Sequence, residues 1–267
     1  MGGNALISIG IIPRRIESRL EFFDISKRAI DFLLNYYAIV EPCYELISKT
    51  SFGDIDILVS NQIKPFDIKN CVKNNYITSF EFEGVQVDAI SILEEIIPLA
   101  KVVLFDDMGA CIGRLFKYIG IKLCYDGLFT KNHNVLLSIN PSDIFNFLGY
   151  KLDFPFYAQT QEELFEWLLS GYFNMNDCFD SELDAGIRKV ERSNKYRNKR
   201  QTFIDFVDYT KNKSNHYFSK YNYKPLPKLS EALDFFGKTK RYNTIVDDKI
   251  KCEEINIIYK KSLITKI

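Results

Sequence analysis

Histidine is almost missing from this chain of 267 residues: only His133 and His216 occur, both in polar, loop-like settings that suggest no role. Six cysteines (43, 71, 111, 124, 178 and 252) are scattered, with no CxxC pair and no closely spaced histidine. A structural zinc site is therefore not expected, and free thiols in a reducing, cytoplasmic setting are. No run approaches the roughly 20 apolar residues that a bilayer span requires, so no membrane partner is expected. The opening stretch, MGGNALISIGIIPRR, has no basic leader and only a brief apolar segment, unlike a signal peptide. Net charge is lacking too: Lys plus Arg and Asp plus Glu number 35 each. Whole-molecule steering toward nucleic acid is not implied, and any basic surface must be local. Internal repeats and low-complexity tracts are missing as well.

What is present is enough apolar material for a sizeable core, at 46% hydrophobic residues. SRLEFFDISKRAIDFLLNYYA spaces Ile25, Ala29, Ile30, Leu33 and Leu34 as a helix does. IVEPCYELIS reads as a strand interrupted by Pro42, and the turn KTSFG leads into the strand DIDILV. IKPFDIKNCVKNN is expected to form a short helix, and YITSFEFEGVQVDAISI two strands joined at Glu83-Gly84. This order describes a mixed α+β domain with a partly antiparallel sheet. Beyond about residue 98 the pattern turns mainly helical. DDMGACIGRLFKYIGIKL is expected as a helix with Asp106 and Asp107 at its positive end. LCYDGLFTKNHNVLLSI follows as a β-hairpin insert. PSDIFNFLGY follows as a helix with Ser142 as its cap and Gly149 near its end, and TQEELFEWLLSGYF as a helix opened by a Thr160/Glu163 capping box, with Trp167 in the core. A long charged helix is expected over 181–212, a break at KPLPK, and helices at LSEALDFFGK and VDDKIKCEEINIIYKK.

The chemistry concentrates in SFGDIDILVS. On a strand, residues i and i+2 share a face, so Asp54 and Asp56 project together. Carboxylates are poor strand formers and repel one another. Such a pair is either a polar edge of a buried strand or a ligand set for a divalent cation. Asp88, another lone acid in the β-branched run GVQVDAISI, is the third candidate. Three acids on adjacent strands can hold two Mg²⁺ ions about 4 Å apart, activating an attacking hydroxyl and stabilising a pyrophosphate leaving group. Magnesium, or manganese, suits oxygen ligands that leave room for a triphosphate. The turn before the acids, with Ser48, Lys49, Thr50, Ser51 and Gly53, offers N–H groups and hydroxyls to phosphate.

KTSFGDIDILV, followed 32 positions after Asp56 by Asp88 in QVDAI, resembles the polymerase β-type nucleotidyltransferase superfamily. More loosely, MGGNAL, the GDIDI strand and DDMGACIGRLFKYIGIKL are similar to viral and phage poly(A)-polymerase-like proteins. The resemblance implies a catalytic nucleotidyltransferase domain over 1–98 and a mainly helical domain with the hairpin insert over 99–267. It implies metal-dependent transfer of a nucleoside monophosphate from an NTP, ATP in the polyadenylating case, to an RNA 3′ hydroxyl. Asp54 and Asp56 would bind both metals and Asp88 the catalytic one. The family's Gly-Ser pair, about ten residues before the acids, is absent, so Ser48 or Ser51 would replace it. Two alternatives stay open: nucleotidylation of a small molecule or protein, as in toxin and defence relatives, and a non-catalytic RNA-binding subunit.

Arg114 and Lys117 lie three apart on one helix, with Lys122 beyond Gly120. They suit triphosphate and sugar contacts, or equally a solvated helix face. Arg14 and Arg15 follow Pro13 and suit contacts to RNA or phosphate, though such a pair is more often plain surface. GIRKVERSNKYRNKR, residues 186–200, carries Arg188, Lys189, Arg192, Lys195, Arg197, Lys199 and Arg200 against the one acid Glu191. This stretch can track an RNA backbone, with Tyr196 to stack, or form an exposed charged face.

Overall fold

The computed structural model describes residues 5–105, 108–150, 158–173, 201–213 and 223–249. Asp106, Asp107, His216, Cys178, Cys252 and the basic stretch from Arg188 to Arg200 lie outside them, as does the expected helix over 181–200.

A five-stranded mixed sheet forms the centre of the amino-terminal half, in the order β1-β2-β5-β4-β3. Its strands are β1 Tyr37–Pro42, β2 Asp54–Gln62, β3 Cys71–Asn74, β4 Ile77–Phe82 and β5 Val85–Ser91. Only β2 and β5 run parallel; the other pairs are antiparallel. The hairpin between β4 and β5 turns at Glu83 and Gly84, with φ of 53° and 80°. Two successive positive φ values match the twist of the strands that such a turn joins.

Helix α1, Arg19–Leu33, starts where the Ser18 hydroxyl accepts from the Glu21 N–H at 3.2 Å. Its apolar spacing works as expected: Ile25, Ala29 and Leu33 are buried, and Leu34, just past the end, is exposed. That face packs on Ile55, Ile57 and Val59 of β2 and Val85, Val87 and Ala89 of β5. A chain segment ahead of α1 crosses the end of the sheet. Its 3-10 turn, Ala5–Ile9, is followed by a backbone bond from Arg14 to Gly84 (2.8 Å) and a bridge between Ile16 and Phe52.

The opposite face of the sheet is covered in its middle by α2, Ile97–Val103. Ile97 and Ala100 pack on Leu58 and Ile90, while Leu99 and Val102 join a larger cluster built by the helices that follow. The boundary expected near residue 98 thus falls within a helix that serves both clusters. The larger cluster contains α3 Met108–Ile119, α4 Pro141–Leu148, α5 Gln161–Leu169, α6 Gln201–Asn212 and α7 Leu229–Phe235. A small antiparallel sheet, β6 Ile121–Cys124, β7 Gly127–Thr130 and β8 Leu136–Ser138, packs with them. Residues 239–249 are helical. The Thr160/Glu163 capping box is formed, and Trp167 is buried.

Three expectations are corrected. IKPFDIKNCVKNN contains no helix: Pro65 sits in irregular chain, Asn70 adopts φ 59°, and Cys71–Asn74 pairs with β4. A left-handed residue stops a helix, and the ladder to β4 satisfies the backbone instead. The helix over DDMGACIGRLFKYIGIKL ends at Ile119, because Gly120 takes φ 83° and the next residues join the hairpin as β6. The cap of α4 is Asn140, whose side chain accepts from the Ser142 N–H at 2.9 Å, so Ser142 is the capped residue. Gly149 does end that helix, at φ 78°. Cys43, Cys71, Cys111 and Cys124 are free thiols. Among the described residues no helix is long and apolar enough to cross a membrane.

Candidate metal centre

The register between β2 and β5 sets Asp56 directly beside Asp88, and Asp54 beside Gln86. In a parallel pair, residues in register project to the same side, and alternation keeps Asp54 with Asp56. All three carboxylates therefore leave the face opposite α1, beyond the end of the apolar patch that α2 covers. One oxygen from each lies within 4.8 Å of the others, and each side chain is half-buried. They form a compact set of hard oxygen donors, suited to Mg²⁺ or Mn²⁺ and poorly suited to soft metals.

The electrostatics are those of crowded, partly desolvated carboxylates. Asp56 is held well above the usual carboxylate range by desolvation, then by the neighbouring charges of Asp54, Asp88 and Glu45; Lys49 pulls the other way. Asp88 is pushed up to about 6, chiefly by desolvation, with Asp54 adding to it and hydrogen bonds from Ser79 and Gln86 opposing it. Cys43, whose N–H donates to the Asp56 carbonyl at 3.1 Å, has its thiol pushed well up by burial and by Asp56. A cation bound between the acids would reverse this, because it favours the charged carboxylates.

The loop 43–53 that delivers β2 to this site is organised from below by Arg19 of α1. Its guanidinium donates to the carbonyls of Leu46 and Glu45, to that of Ile47 at 2.9 Å, and marginally to that of Lys49. Leu46 is buried among the helices of the second half, and Ser48 N–H donates to the Gln159 carbonyl at 2.9 Å. Within the loop Lys49 is paired with Glu45, with its ammonium 5.4 Å from the Phe52 ring centre. Ser51 accepts from Arg15 at 3.0 Å; Thr50 is exposed and Gly53 half-buried next to Asp54. The Ser48–Gly53 turn thus adjoins the acids, with Lys49 near enough to act on Asp56.

Arg114 and Lys117 are half-buried on α3, and Lys122 is exposed on β6 with its ammonium 5.4 Å from the Phe129 ring centre. Arg14 is tied to Glu21 at 2.7 Å. A groove of about 710 Å³, lined by Tyr37, Lys64, Lys73, Thr78 and Ser91 among others, opens where β2 and β5 end, whereas Asp54 and Asp56 open β2 and Asp88 sits midway along β5.

Two residues beside Asp88 were not anticipated. Ser79 stands opposite it on β4, and Gln86 donates to its Oδ1 at 2.9 Å. Gln86 was legible in principle: a lone amide two positions before Asp88 in an apolar strand must share its face. Comparison with known proteins adds no identity: no family model matches the chain, and no curated protein matches it.

Proposed function

We propose that this protein is a metal-dependent nucleotidyltransferase of the polymerase β type that transfers NMP from an NTP, ATP in the leading case, to an RNA 3′ hydroxyl. The observation that carries the reading is the convergence of Asp54, Asp56 and Asp88 within 4.8 Å on neighbouring parallel strands. Asp54 and Asp56 would hold both divalent ions and Asp88 the one nearer the acceptor. Bound there, Mg²⁺ would supply charge neutralisation and a lowered pKa for the acceptor hydroxyl.

The protein's own groups set up the rest. Asp88, charged once the ion is bound beside it, would accept the proton of the acceptor hydroxyl. The turn at 48–53, held through Arg19, would offer the triphosphate its hydroxyls beside the acids, while the N–H groups of Ser48, Lys49 and Phe52 are already bonded within the protein. Acceptor binding is assigned to the basic stretch from Arg188 to Arg200, on its charge alone.

Incubation with labelled NTPs and Mg²⁺ or Mn²⁺, with RNA or with no acceptor, tests this directly. RNA extension supports the reading in full. Label on a small molecule or on protein would move the acceptor to that class, and RNA binding without any incorporation would leave a binding subunit.

A further inference from the structure

Gln86 is a primary amide near the start of an apolar strand, 1% exposed, and its polar atoms are spoken for on both sides. Its Oε1 accepts from the N–H of Ala5 at 3.0 Å and, more weakly, from that of Leu6 at 3.4 Å. Its Nε2 donates to Oδ1 of Asp88 at 2.9 Å. The partners fix which way the amide points. Two N–H donors on one side demand the oxygen there, and a carboxylate on the other demands the nitrogen; the flipped amide would face repulsion at both ends. Leu6 is itself fully buried, so the Ala5–Ile9 turn is anchored at its start by a buried apolar side chain and by this amide.

We infer that Gln86 is a positioning residue for the metal centre: it ties the amino-terminal turn to Asp88 and pins one oxygen of that carboxylate in a binding orientation. This rests on the reading of the three acids as a metal site. A ligating carboxylate that is oriented by a second group binds more tightly, because less freedom remains to be lost when the ion arrives. The link runs both ways. An ion that immobilises Asp88 immobilises Gln86, and with it the two amides of the turn.

The probe is Mn²⁺ alone, followed by its paramagnetic resonance signal, on the full chain. Wild type is measured beside Gln86→Met, which keeps the volume and removes both sets of bonds. Val87→Ala, whose side chain points to the opposite face under α1, reports what general loosening of β5 does. Gln86→Met should weaken Mn²⁺ binding about tenfold, the lower end of the range for residues that support metal ligands. Val87→Ala should lower the thermal midpoint and leave Mn²⁺ affinity within about twofold of wild type. In the wild type, and so independent of whether the variant folds, Mn²⁺ should slow hydrogen exchange at the Ala5 and Leu6 amides. Wild-type Mn²⁺ affinity in Gln86→Met, an equal loss in Val87→Ala, or exchange at those amides indifferent to Mn²⁺ would each overturn the assignment while leaving the metal centre standing. A wild-type protein that binds no Mn²⁺ would instead remove the metal centre itself.

Discussion

On the face of β2 and β5 that meets α1, Ile55, Ile57, Val59, Val85, Val87 and Ala89 are buried in one apolar cluster. Alternate positions of the same two strands, on the other face, hold Asp54, Asp56, Gln86 and Asp88 and then, further along, Leu58 and Ile90. The backbone is common to both faces, so the contrast comes from side chains alone. The α1 face is stabilised by removing hydrocarbon from water, about 25 cal/mol for each Å² of apolar area. The acid end gains little of that and gathers like charges with partial loss of solvent, which raises the proton affinity of Asp56 and Asp88. One face serves the fold, and the other carries a destabilising arrangement that a bound cation would relieve.

Adjacent residues on opposite faces give the sharpest way to break this comparison. Asp56→Asn should reduce nucleotide incorporation to the level of a protein-free control, with a thermal midpoint at or above wild type in the absence of metal. Retained turnover would end the catalytic assignment, and collapse of the fold would make Asp56 structural. Its neighbour should behave in the reverse manner. Ile57→Ala, which empties part of the fully buried cluster, should cost about 2–5 kcal/mol of stability by denaturant unfolding. Its incorporation rate per folded molecule should stay near wild type.

A smaller effect concerns pH. The Asp88 carboxyl has a higher proton affinity in the folded protein, about 6, than its ordinary value of 3.8. The unfolded chain therefore releases that proton first as pH rises, and the contribution of Asp88 to stability is full below about pH 4 and is lost toward pH 6. In chelator, the thermal midpoint of Asp88→Asn should climb relative to wild type across that window, and added Mn²⁺ should raise the wild-type midpoint at neutral pH. A difference that stays flat, or that shrinks with rising pH, would contradict the crowding of charge described here.

The smallest expected change separates chemistry from acceptor binding. Lys195→Ala, Arg197→Ala and Lys199→Ala together should flatten the salt dependence of RNA binding by about 2 units, at about 0.7 for each lost phosphate contact. NTP binding at the acids should survive. An unchanged slope would reduce the basic stretch to a solvated face.

The acid face was readable before the fold because its signal is local. Alternation puts Asp54 with Asp56, and an acid in a β-branched run stands out whatever its neighbours are. Capping at Thr160 and the turn at Glu83-Gly84 were readable for the same reason, since each is decided within four residues. The pairing that sets Asp88 beside Asp56 depends on register across 32 positions, which the spacing suggests and does not dictate. Arg19 organising the loop 43–53 from a helix some thirty residues earlier has no local signature at all. The strand Cys71–Asn74 escaped for a related reason: four residues are too few for a period, and the ladder to β4 supplies what their pattern does not.

The central claim is that the three carboxylates share a divalent cation. Crystals grown or soaked with Mn²⁺ and a non-hydrolysable NTP, with diffraction recorded at the manganese absorption edge, test it most directly. The account predicts an anomalous peak ligated by oxygens of Asp54, Asp56 and Asp88, with the triphosphate reaching toward the Ser48–Gly53 turn. Manganese bound elsewhere, or no peak at the acids under saturating Mn²⁺ and nucleotide, would contradict it.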